Sequence, residues 1–202
     1  MDRPEAIKRI RQLVDSDLVP LAHKLGITIW KGDKLNKGWA GHTIERYLGL
    51  PINSSRAPNF GSWELKVVPV RLHGNQTLQV KETMAITMID PVEVANKEFA
   101  DSHLLLKLRK IVVVTRIFED KSESRSLLHS AGEFDLGNLD VYRQVNEDYN
   151  LVRDTIRTKG FGALTGKMGV LVQPRTKGPG HGSTSRAFYA RARFVEKILG
   201  LS

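Results

Sequence analysis

The sequence predicts an α+β fold in which helices at both ends of the chain flank a central mixed β-sheet. Two patterns support this: amphipathic helical spacing near both termini, and short apolar runs typical of strands between them. The composition, with 41% hydrophobic and 26% charged residues, is that of an ordinary globular protein. A chain of 202 residues is long enough for one substantial domain or for two lobes that share a cleft.

The first helical pattern runs over residues 3–25, and Pro20 is expected to kink or split it. A polar turn over residues 31–38 leads to a second amphipathic helix, which Gly49 and Pro51 should end. The apolar positions that define these helices are Ile7, Ile10, Leu13 and Val14 in the first, and Trp39, Ile44, Tyr47 and Leu48 in the second. Residues 51–61 are rich in Pro, Asn, Ser and Gly and should form a loop.

The middle of the chain is predicted to supply the sheet. The strand candidates are Trp63–Val70, Leu78–Ile89, Lys110–Phe118 and residues 126–136. Residues 137–158 carry a helical pattern, and Gly169–Gln173 should be a short strand. Residues 174–186 lack apolar anchors and are expected to form a basic loop, followed by a closing helix over Tyr189–Leu199.

The charge of the chain favours a polyanionic partner. Lys and Arg number 31 against 22 Asp and Glu, which gives a net charge of +9. Nucleic acid is the first candidate partner and an anionic membrane surface the second. The sequence has no cysteine, which excludes disulfides, thiolate zinc sites and cysteine nucleophiles. Without a signal-peptide pattern or a membrane-spanning apolar run, we expect a soluble cytoplasmic protein.

Glu64 and Lys66 are the main candidates for residues that act on a phosphate group. Residues two apart on a strand point to the same face, so both side chains should enter one site while Trp63 and Leu65 face the core. A carboxylate can hold a divalent cation, and a nearby ammonium can orient water or stabilise charge on a phosphate. The pair alone is weak evidence, because alternating Glu and Lys is common on solvated strands. The six histidines form no HExxH motif, and no Walker loop or GxGxxG is present.

Six segments along the chain carry a family resemblance: KGWAGHTIERYLG (37–49), PNFGSWELKVVPV (58–70), VEVANKEF (92–99), SHLLLKLRK (102–110), VQPRTKG (172–178) and RAFYARARF (186–194). Through these segments the chain resembles the MutH-type mismatch-repair endonucleases and the related restriction endonucleases that cut at GATC, within the PD-(D/E)xK nucleases. Their order and spacing match along most of the chain. The resemblance implies a restriction-endonuclease-like fold of two lobes, a catalytic lobe of about 1–120 and a DNA-recognition lobe of about 121–202, forming a DNA-binding cleft.

The resemblance also implies roles for particular residues. Catalytic positions are Glu45, Asn59, Glu64, Lys66 and Lys107, and metal ligands are Glu45, Asn59, Glu64 and the backbone carbonyl of Leu65. The expected cofactor is Mg²⁺, with Ca²⁺ or Mn²⁺ as substitutes. Predicted DNA-binding residues are Lys37, Gln173, Pro174, Arg175, Lys177, Arg186, Tyr189 and Arg191. Gln173 stands where the family has a basic residue, which puts GATC specificity in question.

Asn59 departs from the family pattern, because the family has a metal-binding aspartate at this position. An amide oxygen can coordinate a cation but carries no negative charge, so binding of a hard cation should weaken sharply. One explanation is an engineered, inactivated variant, and the other is a naturally silent relative. The retention of Glu45, Glu64, Lys66 and Lys107 favours the first explanation.

The predicted function is therefore a sequence-specific, Mg²⁺-dependent endonuclease for double-stranded DNA, acting as a monomer or a DNA-assembled homodimer. A repair nuclease would have a mismatch-repair partner, and a restriction enzyme a cognate methyltransferase. The alternatives are a catalytically silent DNA-binding module and, more weakly, a basic RNA-associated protein of the translation machinery. In these alternatives Glu45 is a solvated helix charge, Lys107 and Arg109 are strand-edge charges, and Tyr189 is a core aromatic.

Overall fold

The computed structural model describes residues 1–50, 58–74, 77–178 and 184–201. The α-helices are α1 (Arg3–Arg11), α2 (Leu18–Lys24), α3 (Trp39–Tyr47), α4 (Pro91–Asn96), α5 (His103–Leu108), α6 (Leu139–Lys159) and α7 (Ala192–Leu199). The strands are β1 (Trp30–Lys31), β2 (Lys34–Leu35), β3 (Glu64–Leu72), β4 (Leu78–Val80), β5 (Met84–Met88), β6 (Lys110–Ile117), β7 (Leu128–Asp135), β8 (Val172–Thr176) and β9 (Arg186–Ala190). The predicted α+β class is confirmed. No helix of the described residues is long and apolar enough to cross a membrane.

The chain divides into two compact units. The first unit comprises Met1–Lys81 and Ile111–Phe134, and the second comprises Glu82–Lys110 and Asp135–Ser202. Residues 82–110 thus belong with the C-terminal segment, whereas the predicted lobes were continuous. The catalytic and DNA-recognition roles given to the two lobes stay predictions.

A four-stranded mixed sheet in the order β4-β3-β6-β7 forms the first unit's centre. Strand β3 is antiparallel to β4 and parallel to β6, with Glu64 opposite Ile111 and Lys66 opposite Val113. One face of β3 packs into a core that also includes helices α1 to α3. The main buried members of this core are Ile7, Ile10, Leu18, Trp39, Ile44, Trp63, Leu65, Val112, Val114 and Leu128. Because side chains alternate along a strand, the core contacts of Trp63 and Leu65 turn Glu64 and Lys66 to the other face.

Two predicted elements are each divided in two by the structure. The helical pattern over 3–25 breaks at residues 12–17, where Asp15 has a φ of 63° and Asp17 accepts a hydrogen bond from Val19 N to begin α2. Pro20 does not split the helix, since it lies in the first turn of α2, where a missing N–H leaves no intrahelical bond unmade. The predicted strand Leu78–Ile89 is two strands, β4 and β5, which pair in different sheets.

A buried ion pair fixes the end of β6 to the connection before β7. Arg116 donates to both carboxylate oxygens of Glu123, at 2.6 and 3.0 Å, and to Ser126 Oγ at 2.9 Å. The guanidinium carbon of Arg116 lies 5.2 Å from the centre of the ring of Trp39, which is the first residue of α3. Both charged side chains are almost completely buried, so each depends on the other for compensation.

The second unit contains an antiparallel sheet in the order β5-β9-β8. Phe188 of β9 lies under Tyr149 of α6, with ring centres 5.9 Å apart. Two predicted boundaries are wrong here. The basic loop predicted over 174–186 begins later, because residues up to Thr176 pair with β9. Tyr189 lies in β9 rather than in the closing helix, since it pairs with Gln173. The predicted loop over 51–61 is described only from residue 58, and residues 179–183 of the basic segment also lie outside the described part.

A buried carboxylate on α6 organises the segment that leads into β8. Asp148 accepts hydrogen bonds from the backbone N–H groups of Val170, Leu171 and Val172 at 2.6–2.7 Å. The preceding Gly169 has a φ of 75°, and a Cβ there would lie 1.9 Å from the carbonyl oxygen of Val172. The tight turn therefore requires glycine, and a carboxylate is required to accept three N–H groups at once.

Asp148→Asn should destabilise the chain by about 3 kcal/mol, because an amide has one acceptor oxygen where the carboxylate has two. Urea unfolding followed by circular dichroism measures the loss. Asp154→Asn is the matched control on the same helix, since the Asp154 side chain is 61% exposed; its effect should stay within about 0.5 kcal/mol. Equal effects of the two variants would contradict this account.

Glu123→Gln should cost about 3 kcal/mol or more, because it leaves the buried guanidinium of Arg116 without a compensating charge. Thermal unfolding monitored by tryptophan fluorescence tests this. The control is Glu119→Gln, which removes the exposed pair with Arg125 from the same connection and should cost less than about 1 kcal/mol. A change at Glu123 no larger than the control's would show that this ion pair is not a stabilising element.

Candidate active site

Glu64 and Lys66 meet at the beginning of β3. Lys66 Nζ lies 2.9 Å from Glu64 Oε1, and the Glu64 side chain is only 4% exposed. This contact agrees with the predicted placement of both residues on one face of the strand. Both residues pair with β6, and the Lys66 side chain is 16% exposed, so the two charges lie in a shielded environment.

Asn59 joins two carboxylates from different elements. Its backbone N–H donates to Glu64 Oε2 at 3.0 Å, and its side-chain Nδ2 donates to Glu45 Oε1 at 2.7 Å. Asn59 Oδ1 is buried and accepts no hydrogen bond from the described residues. The four predicted catalytic residues of the first unit, Glu45, Asn59, Glu64 and Lys66, therefore form one connected cluster.

A tight turn directly before β3 places Asn59. Gly61 N donates to the carbonyl of Pro58 at 3.1 Å, and Gly61 has a φ of 74°, a backbone conformation that favours glycine. The rings of Phe60 and Trp63 stack at 3.8 Å with an angle of 5°. This stack anchors the turn to the core, because Trp63 is buried.

Helix α3 supplies Glu45. Trp39 and Ile44 of this helix are buried in the core of the first unit, and the helix packs against β3. Glu45 follows Ile44 and is partly buried, with its carboxylate directed to Asn59. The packing of α3 against β3 thus holds the two carboxylates around one amide.

The oxygen ligands of the cluster are of the type that binds a hard divalent cation, but Asn59 supplies no negative charge. Glu45 and Glu64 offer carboxylate oxygens and Asn59 an amide oxygen, the ligand types preferred by Mg²⁺ and Ca²⁺. The buried, unpaired Oδ1 of Asn59 is an atom that a cation could satisfy. No group of three or more His, Cys, Asp or Glu clusters in metal-binding fashion within the described ranges. An acid in place of Asn59 would add a third carboxylate beside Glu45 and Glu64.

The backbone carbonyl of Leu65 was also predicted to coordinate the cation, and this stays a prediction.

Lys107 and Lys37 lie on other elements. Lys107 belongs to the second unit, on α5, where it is 6% exposed. Its interpretation as a strand-edge charge is wrong, because Ser102 Oγ caps a helix there by accepting from Leu105 N at 3.1 Å. Lys37 is exposed in the turn before α3, which the Asn36 side chain braces by contacts with Thr28 O and Gly38 N.

The proposed base-reading residues of the second unit differ in accessibility. Gln173 is 5% exposed and Pro174 is also buried, both within β8. Arg175 is exposed; it donates to Thr83 Oγ1 at 2.8 Å and its guanidinium carbon lies 5.6 Å from the Tyr189 ring centre. Burial raises the pKa of Tyr189 and the Arg175 charge lowers it in part, so that the hydroxyl remains a hydrogen-bond donor.

Three further predicted DNA-binding residues lie near the same sheet. Arg186 of β9 donates to Thr176 Oγ1 at 3.0 Å. Arg191 donates to the carbonyls of Gly166, Met168 and Gly169, which makes its guanidinium a clamp on the segment before β8. Lys177 follows β8 and is exposed. Sequence reasoning missed Thr83, the partner of Arg175, because nothing in the sequence pairs two residues 92 positions apart.

Comparison with known proteins identifies relatives over nearly the whole chain. The family model described as DNA mismatch repair enzyme MutH matches residues 48–135, which include Asn59, Glu64, Lys66 and Lys107. A DNA mismatch repair protein MutH of Vibrio campbellii is 23% identical, covering 96% of this chain and 92% of the relative. The Klebsiella pneumoniae protein of the same name is 25% identical, with 96% and 90% covered. The Haemophilus influenzae protein is 24% identical, with 89% and 86% covered.

A solved structure titled as a complex of restriction endonuclease MvaI with its cognate DNA substrate is 11% identical, with a TM-score of 0.38 over 90% of this chain and 95% of that chain. The chain is therefore similar to the DNA mismatch repair MutH proteins over nearly its whole length, and residues 48–135 match their family model.

Proposed function

We propose that this chain is a sequence-specific endonuclease for double-stranded DNA whose Mg²⁺-dependent cleavage of phosphodiester bonds is reduced or abolished by Asn59. The observation that carries the proposal is the cluster at the start of β3, where Lys66 contacts Glu64 and Asn59 joins Glu64 to Glu45. The relatives named DNA mismatch repair protein support a DNA substrate.

Each residue of the cluster has a distinct task in this proposal. Glu45, Glu64, the residue at position 59 and the Leu65 carbonyl would hold the cation, which would supply Lewis-acid polarisation of a phosphate oxygen. Lys66 carries a positive charge close to Glu64 and orients a water molecule or stabilises charge that develops on the phosphate. Lys107 is proposed as a second lysine that supports the phosphate. The partly buried setting strengthens these electrostatic effects relative to water.

DNA recognition is assigned mainly to Arg175. Its planar guanidinium can donate two parallel hydrogen bonds to guanine O6 and N7 in the major groove. Burial of Gln173 and Pro174 in β8 leaves Arg175 as the first exposed side chain of this segment. Exposed lysines such as Lys37 and Lys177 suit phosphate contacts, and the net charge of +9 favours a polyanion. GATC or a related short site is the proposed target, read by the chain as a monomer or as a DNA-assembled homodimer.

A catalytically silent DNA-binding module is the second candidate. Its support is the hydrogen bond from Asn59 Nδ2 to Glu45, which an ionised aspartate at this position could not donate. Under this alternative the cluster is structural, and no substitution at position 59 brings activity.

Asn59→Asp should convert the chain into a Mg²⁺-dependent nuclease that nicks or cuts plasmid DNA at least about 100-fold faster than the parent, because the third carboxylate completes the cation site. Agarose-gel assays of supercoiled plasmid with Mg²⁺ or with EDTA measure this. Adding Glu64→Gln to this variant should remove the gain. A variant that binds DNA and never cuts it would refute the enzyme and leave the binding module.

Arg175→Ala should relax sequence preference by about 1–3 kcal/mol at one base position, because a bidentate base contact is lost. Lys177→Ala is the matched control on the same segment, and it should weaken binding about equally for all sequences with a shallower salt dependence. Fluorescence anisotropy with a GATC duplex and a scrambled duplex at several salt concentrations separates the two effects. Unchanged preference in the Arg175 variant would remove Arg175 as a base reader.

A further inference from the structure

Asn59 is the common hydrogen-bond donor to both carboxylates of the cluster. Glu64 accepts from its backbone at 3.0 Å and Glu45 from its side-chain amide at 2.7 Å. The orientation of the amide is fixed by chemistry: a flipped amide would place Oδ1 against a carboxylate oxygen at the same distance, where two acceptors repel. The donor end therefore faces Glu45, and the acceptor end remains buried without a partner from the described residues.

An aspartate at this position would reverse the electrostatics. It has no donor for Glu45, and it would place a third carboxylate beside Glu45 and Glu64. With Asn59, the two glutamates and Lys66 carry one net negative charge; with an acid they would carry two. The added like charge is unfavourable, and a bound cation or the uptake of a proton would offset it.

We propose that Asn59 acts in this chain as an internal substitute for the divalent cation, so that the carboxylate site is assembled without metal and duplex DNA binds without metal. The inference rests on the proposed function in one respect, namely that the chain binds DNA. The amide supplies the cross-link between α3 and β3 that a cation would otherwise supply. The lower negative charge also lessens repulsion of a phosphate near Lys66, so that no cation is needed to admit the DNA backbone.

Thermal unfolding with EDTA or with excess Ca²⁺ tests the assembly of the site. The melting temperature of the parent should change by less than about 2 °C between the two conditions. Asn59→Asp should melt about 4–8 °C lower than the parent in EDTA and recover most of this loss with Ca²⁺, because it loses a charge-assisted hydrogen bond and gains repulsion. Asn146→Asp is the control: it adds the same charge on α6, where the Asn146 side chain already acts as an acceptor for Asn150, and should not respond to Ca²⁺.

A double variant keeps the test decisive if Asn59→Asp alone does not fold. Combining Glu45→Gln with Asn59→Asp exchanges donor and acceptor in the same hydrogen bond and restores the charge of the parent site. This double variant should melt within about 2 °C of the parent in EDTA, with little response to Ca²⁺. A double variant as unstable as Asn59→Asp, or one that fails to fold, would overturn the proposal, as would a parent that Ca²⁺ stabilises as much as it stabilises Asn59→Asp.

DNA binding provides the second readout. By fluorescence anisotropy with a short duplex, the affinity of the parent should differ by less than about twofold between EDTA and Ca²⁺, whereas that of Asn59→Asp should rise about tenfold or more with Ca²⁺. Equal cation dependence of the two proteins would overturn the proposal. If Asn59→Asp shows the expected melting behaviour and never cuts DNA, the proposed nuclease function fails and this inference stands. If it cuts DNA while its melting ignores Ca²⁺, the inference fails and the nuclease function stands.

Discussion

The alternation of side chains along β3 is the constraint on which the rest of the first unit depends. Trp63 and Leu65 are buried in the core with helices α1 to α3. The strand can satisfy that packing in one register only, because a slip of one residue would exchange its two faces. Glu64 and Lys66 are thereby held on the opposite face at 2.9 Å. The same core positions α3 and the turn that carries Asn59, so hydrophobic packing determines where the polar cluster lies.

Much of this arrangement could be predicted from the sequence, because β3 and β6 have strong apolar patterns. The same-face placement of Glu64 and Lys66 followed from strand periodicity alone. The break before α2 could not be predicted in this way, since it depends on a positive φ at Asp15 and on the Asp17 cap rather than on Pro20. The separation of β4 from β5 depends on which sheet each strand joins, and no local pattern contains that information.

The residues of the cluster were predicted from the sequence, but the hydrogen bonds between them were not. Glu64 and Lys66 came from strand periodicity and Glu45 and Asn59 from the family resemblance, whereas the donation from Asn59 to both carboxylates needed three-dimensional geometry. In the second unit, strand pairing overrode the polar composition that had predicted a loop at Pro174 and Arg175. Two side chains fix the segment that leads into β8. The carboxylate of Asp148 accepts from its N–H groups, and the guanidinium of Arg191 donates to its carbonyl groups. A predicted DNA-binding arginine therefore also has a structural task.

The central claim is that Glu45, Asn59, Glu64 and Lys66 form a nuclease cation site that lacks one carboxylate. Titration with Mn²⁺, followed by the paramagnetic resonance signal of the free ion, tests this directly by counting bound cations. The account predicts one bound Mn²⁺ per chain for Asn59→Asp, about tenfold or more weaker binding for the parent, and loss of that site when Glu64→Gln is added. Equal Mn²⁺ binding by the parent and Asn59→Asp, or binding that survives the Glu64 substitution, would contradict it.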